Sequence, residues 1–386
     1  MEVYDRDRSA VERLAGDRLS IGRAGRRALQ ECLPRERFDK LLANAALPSQ
    51  SLSVVDRSLD HLLAIDLPHD GQSADTELPV SRVALRRIML EGIEPAVRFG
   101  KRFVRYEDAF DDIVTAHFDD GSTAIGDVLI GADGANSAVR AQLLPQAQRA
   151  DTGIVAISGK LPLDHAARRN TPATILRGPT LVLGPRGHVL VASTVDYDDT
   201  TDAPLVPQAP RLDRSRTVTW RFSARRGAFG DTDVLQMHGA ALKDTVLGLV
   251  AKWHPALVRL VRSSDPAGIA AFAVKTSVPL PPWPTRNVTL LGDALHNMTP
   301  FRGVGATAAL RDAAALRRAL KAVDRNESEL IPALAGYERD IIARGFADVR
   351  ASRRAMERLH AARWLPRLRT RLALSLPFFN SLWLGR

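Results

Sequence analysis

Cysteine is almost absent: Cys32 stands alone among 386 residues. That excludes an internal disulfide framework and any cysteine-rich metal centre, and it fits a reducing compartment. No apolar run is long enough to span a bilayer. The start, Met1-Glu2-Val3-Tyr4-Asp5, lacks a basic segment followed by an apolar one, so no signal peptide is read and a cytoplasmic location is expected. Zinc-finger spacing and aromatic RNA-binding strand motifs are missing, as is a Gly-x-Ser-x-Gly nucleophile elbow. Gly153–Lys160 is no phosphate loop, because its glycine spacing is wrong and Leu161 stands where Ser or Thr would meet Mg²⁺. His296 has no histidine or carboxylate at metal-site spacing, so it reads as structural and no metal is expected.

What is present is ordinary globular material, 45% hydrophobic and 25% charged, with a net charge of +10. The length suggests two domains. The basic residues are scattered rather than clustered, which favours compositional bias or an anionic cofactor over nucleic acid. Trp364–Arg386 mixes Arg with Leu, Phe and Trp. Such a stretch can lie on a membrane surface but more often covers an apolar patch of its own protein, and the second reading is preferred.

Along the chain, a short strand at Glu2–Asp5 precedes a helix from about Ala24 to Glu31, stopped by Pro34. Leu52–Asp56 and His61–Leu67 read as strands. Ser81 caps a helix over Ser81–Gly92 with Val83, Leu85, Ile88 and Met89 at helical spacing. Strands follow at Val97–Tyr106, Ile113–Phe118 and Thr123–Ile130, where Val128-Leu129-Ile130 suits a buried strand. Residues 152–222 are strand-rich, apart from a long loop over Asp198–Ser215. An amphipathic helical region over 240–262 and a strand at Gly268–Val278 follow. Residues 1–150 and 276–345 are expected to form one discontinuous domain, with 51–80 lending strands to a second domain at 151–275. Residues 346–386 form a helical tail.

Two segments carry the chemistry. Val288-Thr289-Leu290-Leu291 is a strand ended by Gly292-Asp293, and a carboxylate at a carboxyl strand end is where α/β sheets bind ligands. Pro300 stiffens the next loop, Gly303 and Gly305 let backbone approach a flat ring, and a helix starts near Ala306. Gly303–Ala308 alone would be a weak, degenerate dinucleotide fingerprint. The whole string, Gly-Asp-Ala-x-His, Pro, Gly-x-Gly and Asp312-Ala313, is far more specific. The other segment is Asp127–Arg140, a strand ending in Gly131-Ala132-Asp133-Gly134 with Asn136 and Ser137 able to cap the next turn.

Together these segments resemble the second and third nucleotide-binding signatures of the FAD-dependent aromatic hydroxylases, the p-hydroxybenzoate hydroxylase-like flavoprotein monooxygenases. The resemblance implies an α/β fold: an FAD/NAD(P)-binding domain, an inserted strand-rich substrate domain and a helical C-terminal tail. It implies FAD held by Asp133, Gly134, Asp293, Pro300, Gly303, Gly305 and Ala306. Asp5 matches the acid that holds the adenosine ribose, Gly16 and Arg18 match a Gly-x-Arg near the cofactor, and Arg82, three residues before Leu85, would reach the flavin or its phosphates. NADPH or NADH would reduce the flavin, and O2 would be inserted into an electron-rich small molecule. No substrate base is assigned, since Tyr197, His188 and His238 have no supporting motif.

The family's first signature, a strand, a Gly-x-Gly-x-x-Gly turn and a helix, does not occur in the sequence. The expectation is that Met1 is an internal start with about 30 residues missing upstream, the size of one βα unit. The alternative is a remnant that binds FAD poorly and acts as a scaffold. A flavin oxidoreductase without oxygen insertion is the competing enzymatic reading.

Overall fold

The computed structural model describes residues 1–10, 12, 18–67, 76–108, 113–197 and 216–361. The expected 198–215 loop, Gly16 and the 364–386 stretch lie outside them. In chain order the first elements are β1 (Val3–Asp5), β2 (Arg18–Ile21), α1 (Arg23–Cys32), α2 (Arg35–Ala43), β3 (Ser51–Asp56), β4 (His61–Asp66), β5 (Leu78–Ser81) and α3 (Arg82–Leu90). Then come β6 (Val97–Phe99), β7 (Phe103–Asp108), β8 (Val114–Phe118), β9 (Thr123–Gly126), β10 (Leu129–Gly131) and α4 (Ala138–Leu143). The middle of the chain holds β11 (Arg149–Pro162), α5 (His165–Asn170), α6 (Ala173–Arg177), β12 (Thr180–Leu183), β13 (Val189–Val195), β14 (Thr217–Arg225), α7 (Gly239–Val250), α8 (Pro255–Arg262) and β15 (Ala270–Ser277). The last are β16 (Val288–Leu290), α9 (Asp293–His296), α10 (Gly305–Asp324) and α11 (Leu330–Leu359).

A seven-stranded sheet runs β15-β11-β14-β13-β12-β3-β4. The early strands β3 and β4 join it, whereas β5, also within 51–80, pairs antiparallel with β2. One face packs on α7 and α8 through Trp220, Phe222, Leu190, Leu242 and Leu257. Burying each such side chain contributes about 1.5–3 kcal/mol. The Trp220 indole donates to the Ser264 hydroxyl at 2.7 Å, so its buried N–H is satisfied. The glycines that mimic a phosphate loop belong to this sheet. Gly153 (φ +73°) sits in the β11 irregularity between Asp151 and Val155. Gly159 lies opposite Trp220, where a Cβ would come within 2.6 Å of the ring.

The nucleotide part is built from parallel pairs, β1 with β6 and β10 with β16, beside the antiparallel β7-β8-β9. The strand expected over Val97–Tyr106 is two strands, broken after Phe99 by Gly100 at φ +72°. Val128, Leu129 and Ile130, expected to be buried, are half-buried. Among the described residues β10 has a neighbour on one edge only, so one flank of the strand stays open. Pro34 stops α1 as expected but also sets the boundary of α2, which the sequence reading lacks. Ser81 caps α3 by accepting from the Val83 N–H. Residues 346–359 continue α11 without a break, so no separate tail begins at 346. Among the described residues, no helix is long and apolar enough to cross a membrane.

A close fit fixes α11. Gly345 faces the His296 ring, and a Cβ there would lie 2.3 Å from its Cδ2. Gly345→Ala should destabilise the protein by about 1–3 kcal/mol through overpacking. That outweighs the gain in helix propensity, about 1 kcal/mol, because buried partners hold the ring in place. Urea denaturation checks this; an unchanged or higher midpoint would mean that the ring has room to move.

Candidate flavin site

Strands β10 and β16 run parallel, with Gly131 opposite Leu290, so their carboxyl ends lie side by side. Gly131 is required there, since a Cβ would come within 2.8 Å of Leu290 and Val139. Past β10, Asp133 does not point outward to a ligand. Its carboxylate accepts the N–H groups of Ala138 (2.7 Å) and Val139 (3.3 Å) and so caps α4. Gly134 adopts φ +78° in the same turn. Arg140 then ties the two signatures together, donating to the carbonyls of Ala294 (2.7 Å) and Ala135 (3.1 Å). Arg149 makes a second tie, to Asn136 Oδ1 (2.7 Å) and Asn297 Oδ1 (2.8 Å), with Asp293 close enough to attract it. The sequence reading missed Arg149, which opens a strand outside both motifs.

Past β16, Gly292 turns at φ +60° and Asp293 opens α9 with its carboxylate exposed. His296 is buried behind it and joins Nε2 to Asp312 Oδ2 at 2.5 Å. Asp312 also accepts the Gly292 N–H at 3.2 Å and faces Arg344 at 3.6 Å. This buried cluster sets the angle at which the Asp293 turn leaves the strand.

Loop 297–304 is held against α11. The Thr299 hydroxyl donates to the Ser352 carbonyl (2.9 Å), buried Arg302 pairs with Asp348 (3.0 Å), and Phe301 meets His360 edge-on at 4.9 Å. His360 Nδ1 donates to the Met356 carbonyl (2.9 Å), leaving Nε2 to accept from the Ser223 hydroxyl on β14 (3.0 Å). The loop is thereby fastened to the seven-stranded sheet. Pro300 is exposed, and Gly303 ends the loop in the left-handed region at φ +65°. Helix α10 begins at Gly305 and Ala306 with no side-chain cap, so its first N–H groups stay available. A Cβ at Gly303 or Gly305 would meet nothing within 4 Å.

Gly303 opens onto a cavity of about 1030 Å³. Gly303, Val304 and Thr307 line one side, Leu52 and Leu67 at the sheet edge another, and Arg27 and Arg311 a third. A carboxylate at a strand end, backbone without Cβ atoms and an uncapped helix start are the groups a flavin ring and its ribityl chain require, so these residues fit FAD. Of the expected flavin residues, Gly303 lines the cavity, Gly305 and Ala306 open α10 after it, and Asp293 and Pro300 are exposed earlier on the same segment.

Of the other candidates, Asp5 and Arg18 have protein partners and Arg82 is exposed. Asp5 binds Arg86 (2.7 Å) and the Asp7 N–H (2.9 Å). Arg82 is exposed at the start of α3. Arg18 does not face the cavity as a free cation: it pairs with Glu77 (2.6 Å) and donates to the Thr194 carbonyl (2.9 Å). Burial alone would raise the Glu77 carboxyl, but Arg18, Ser20 and Ser49 hold it below the usual range. Arg18 therefore fastens β2 to the sheet.

The two buried histidines give opposite pH slopes. Burial pushes His360 down to about 4, against the pull of the Met356 carbonyl. Its contribution is complete above the unfolded value near 6.5 and is lost as pH falls toward 4. Burial also disfavours charge on His296, but Asp312 outweighs it and raises the pKa. That contribution is complete below 6.5 and is lost as pH rises through the raised value. Thermal unfolding across this range should show His360→Gln flattening the acidic limb and His296→Gln the alkaline one. Variants that shift both limbs alike would contradict this assignment.

No family model matches the chain. Among solved structures it resembles a Photorhabdus luminescens chain described as an FAD-containing monooxygenase, with 30% identity and a TM-score of 0.82 over 97% of this chain and 93% of that one. It also resembles a Klebsiella pneumoniae protein solved with FAD and uric acid, at 25% identity and a TM-score of 0.74 over 96% and 84%. Among curated proteins, a dual O-methyltransferase/FAD-dependent monooxygenase of Phaeosphaeria nodorum is 31% identical, over 88% of this chain and 39% of its own length. A Klebsiella pneumoniae FAD-dependent urate hydroxylase is 32% identical over 67% and 59%. The chain thus spans less than two thirds of the length of these curated relatives.

Proposed function

We propose that this chain, which belongs to the FAD-dependent monooxygenase family, uses FAD, NADPH or NADH, and dioxygen to hydroxylate an aromatic or other electron-rich small molecule. The carrying observation is the cavity lined by Val304, Thr307 and the Cβ-free Gly303 at the uncapped start of α10, on the segment that Asp293 opens exposed at the end of β16. Bound FAD supplies the electron transfer and oxygen activation, which explains why no acid–base dyad is needed among the side chains.

The protein's part is placement. The exposed Asp293 carboxylate would accept hydrogen bonds from the ribityl hydroxyls of a bound FAD. The uncapped N-terminus of α10 would favour negative charge on a flavin bound against it. The ties from Thr299, Phe301 and Arg302 to α11 keep the loop at a fixed height. Asp5 belongs to the adenosine side of the same reading and Arg82 to the flavin or its phosphates, and Asp133 with Gly134 shapes the turn after β10. A cytoplasmic location is part of this reading too.

Purified protein loaded with FAD should show a flavin absorbance spectrum and consume oxygen with NADPH or NADH when offered aromatic or heteroaromatic substrates. Nicotinamide oxidation without oxygen in the product would favour an oxidoreductase that does not insert oxygen. Failure to hold FAD at all would favour the non-catalytic reading.

A further inference from the structure

The cavity extends well beyond the flavin corner. It continues as a groove between α1, α10 and α11, where arginines predominate. Helices α1 and α10 run side by side in the same direction: the Gly22 N–H binds the Thr307 hydroxyl at 3.0 Å, and further along Glu31 pairs with Arg318 at 2.7 Å. Arg27 on α1 therefore falls alongside Arg311 on α10. Most charges in the groove are already matched: Arg302 by Asp348, Arg344 by Asp340 and Arg318 by Glu31. Arg27 makes no hydrogen bond or ion pair among the described residues, and Arg311 has only the longer-range attraction of Asp340.

Two cations left over, side by side on the wall of a groove, call for an anion with several oxygens. At about 1.5 Å per residue, Arg311 lies about 9 Å along α10 from Gly305. A compact one-ring substrate reacting at the flavin corner does not reach that far, whereas a dinucleotide does. We infer that Arg27 and Arg311 bind the diphosphate of the nicotinamide dinucleotide, so that its nicotinamide end points down the groove toward Gly303. The inference rests on the monooxygenase reading above.

The test is calorimetric titration of NADP⁺ into the FAD-loaded full chain, in wild type, in the pair Arg27→Ala with Arg311→Ala, and in Arg317→Ala. Arg317 is on the same helix but outside the groove lining, where it faces Glu31 at 3.7 Å, so it controls for the loss of one positive charge from that helix. The pair should weaken NADP⁺ binding at least tenfold and flatten its salt dependence, with FAD content and thermal midpoint unchanged and Arg317→Ala close to wild type. Equal NADP⁺ affinity in the pair and wild type overturns the inference. Loss of FAD together with NADP⁺ also overturns it, since the groove would then hold the flavin's own diphosphate. A wild type that retains no FAD defeats the monooxygenase reading instead, because NADP⁺ titrated into flavin-free protein still reads the groove.

Discussion

Asp293→Ala is expected to lower FAD affinity roughly ten- to hundredfold while leaving the fold intact. The carboxylate is exposed at the turn after β16, so the protein itself loses little without it. Toward a ligand it is a charged acceptor at the point where the sheet ends, and such a hydrogen bond contributes about 1.5–3 kcal/mol. At about 1.4 kcal/mol per tenfold, that range gives the stated loss. Fluorescence titration of FAD, with thermal unfolding as the control, decides it. Undiminished FAD retention would move the ribityl chain away from this turn.

Gly305→Val should abolish most FAD binding and turnover, whereas Ala306→Gly should cost little. The contrast is informative because a Cβ at Gly305 would meet no protein atom within 4 Å. A branched side chain there is thus tolerated by the empty protein, and only a bound ligand can reject it. Thermal unfolding of the flavin-free variants should differ from wild type by about 1 kcal/mol or less, the scale of helix propensity. Equal NADPH-dependent turnover in the two variants would show that no ring approaches that backbone.

The flavin corner was legible in the sequence because its parts are local. A strand end, a carboxylate, a stiffened loop, two glycines and a helix start follow one another within Val288–Ala306, and each imposes its geometry on its neighbours. The ion pairs were not legible. Arg18 looked like a cofactor ligand by its place after a glycine, yet its partners are Glu77, just before β5, and Thr194 on β13, both far along the chain. Arg140 and Arg149 join the two signatures through carbonyl and amide oxygens that leave no pattern in the sequence. The fold reads in the same way. Alternation and apolar runs located the strands of the seven-stranded sheet, but periodicity does not say which edge of β10 finds a neighbour, and so Val128–Ile130 read as more buried than they are. Phe301 and His360, far apart in the chain, gave no sign that they would join the loop to the sheet.

The pairing of β3 with β12 sets the order in which the chain can fold. Ser53 lies beside Thr180 in parallel register, and the whole stretch from β4 to α6 lies between them in the chain. A hairpin of β3 and β4 can form early, but it waits for a strand far downstream, and such long loop closures slow folding. Until they meet, β12 keeps an unpaired edge that invites a neighbouring chain. Cutting out 151–275 as a separate piece would make that edge permanent. Residues 51–66 and 151–275 therefore have to fold together, although the sheet cluster and the β10–β16 cluster are separate cores.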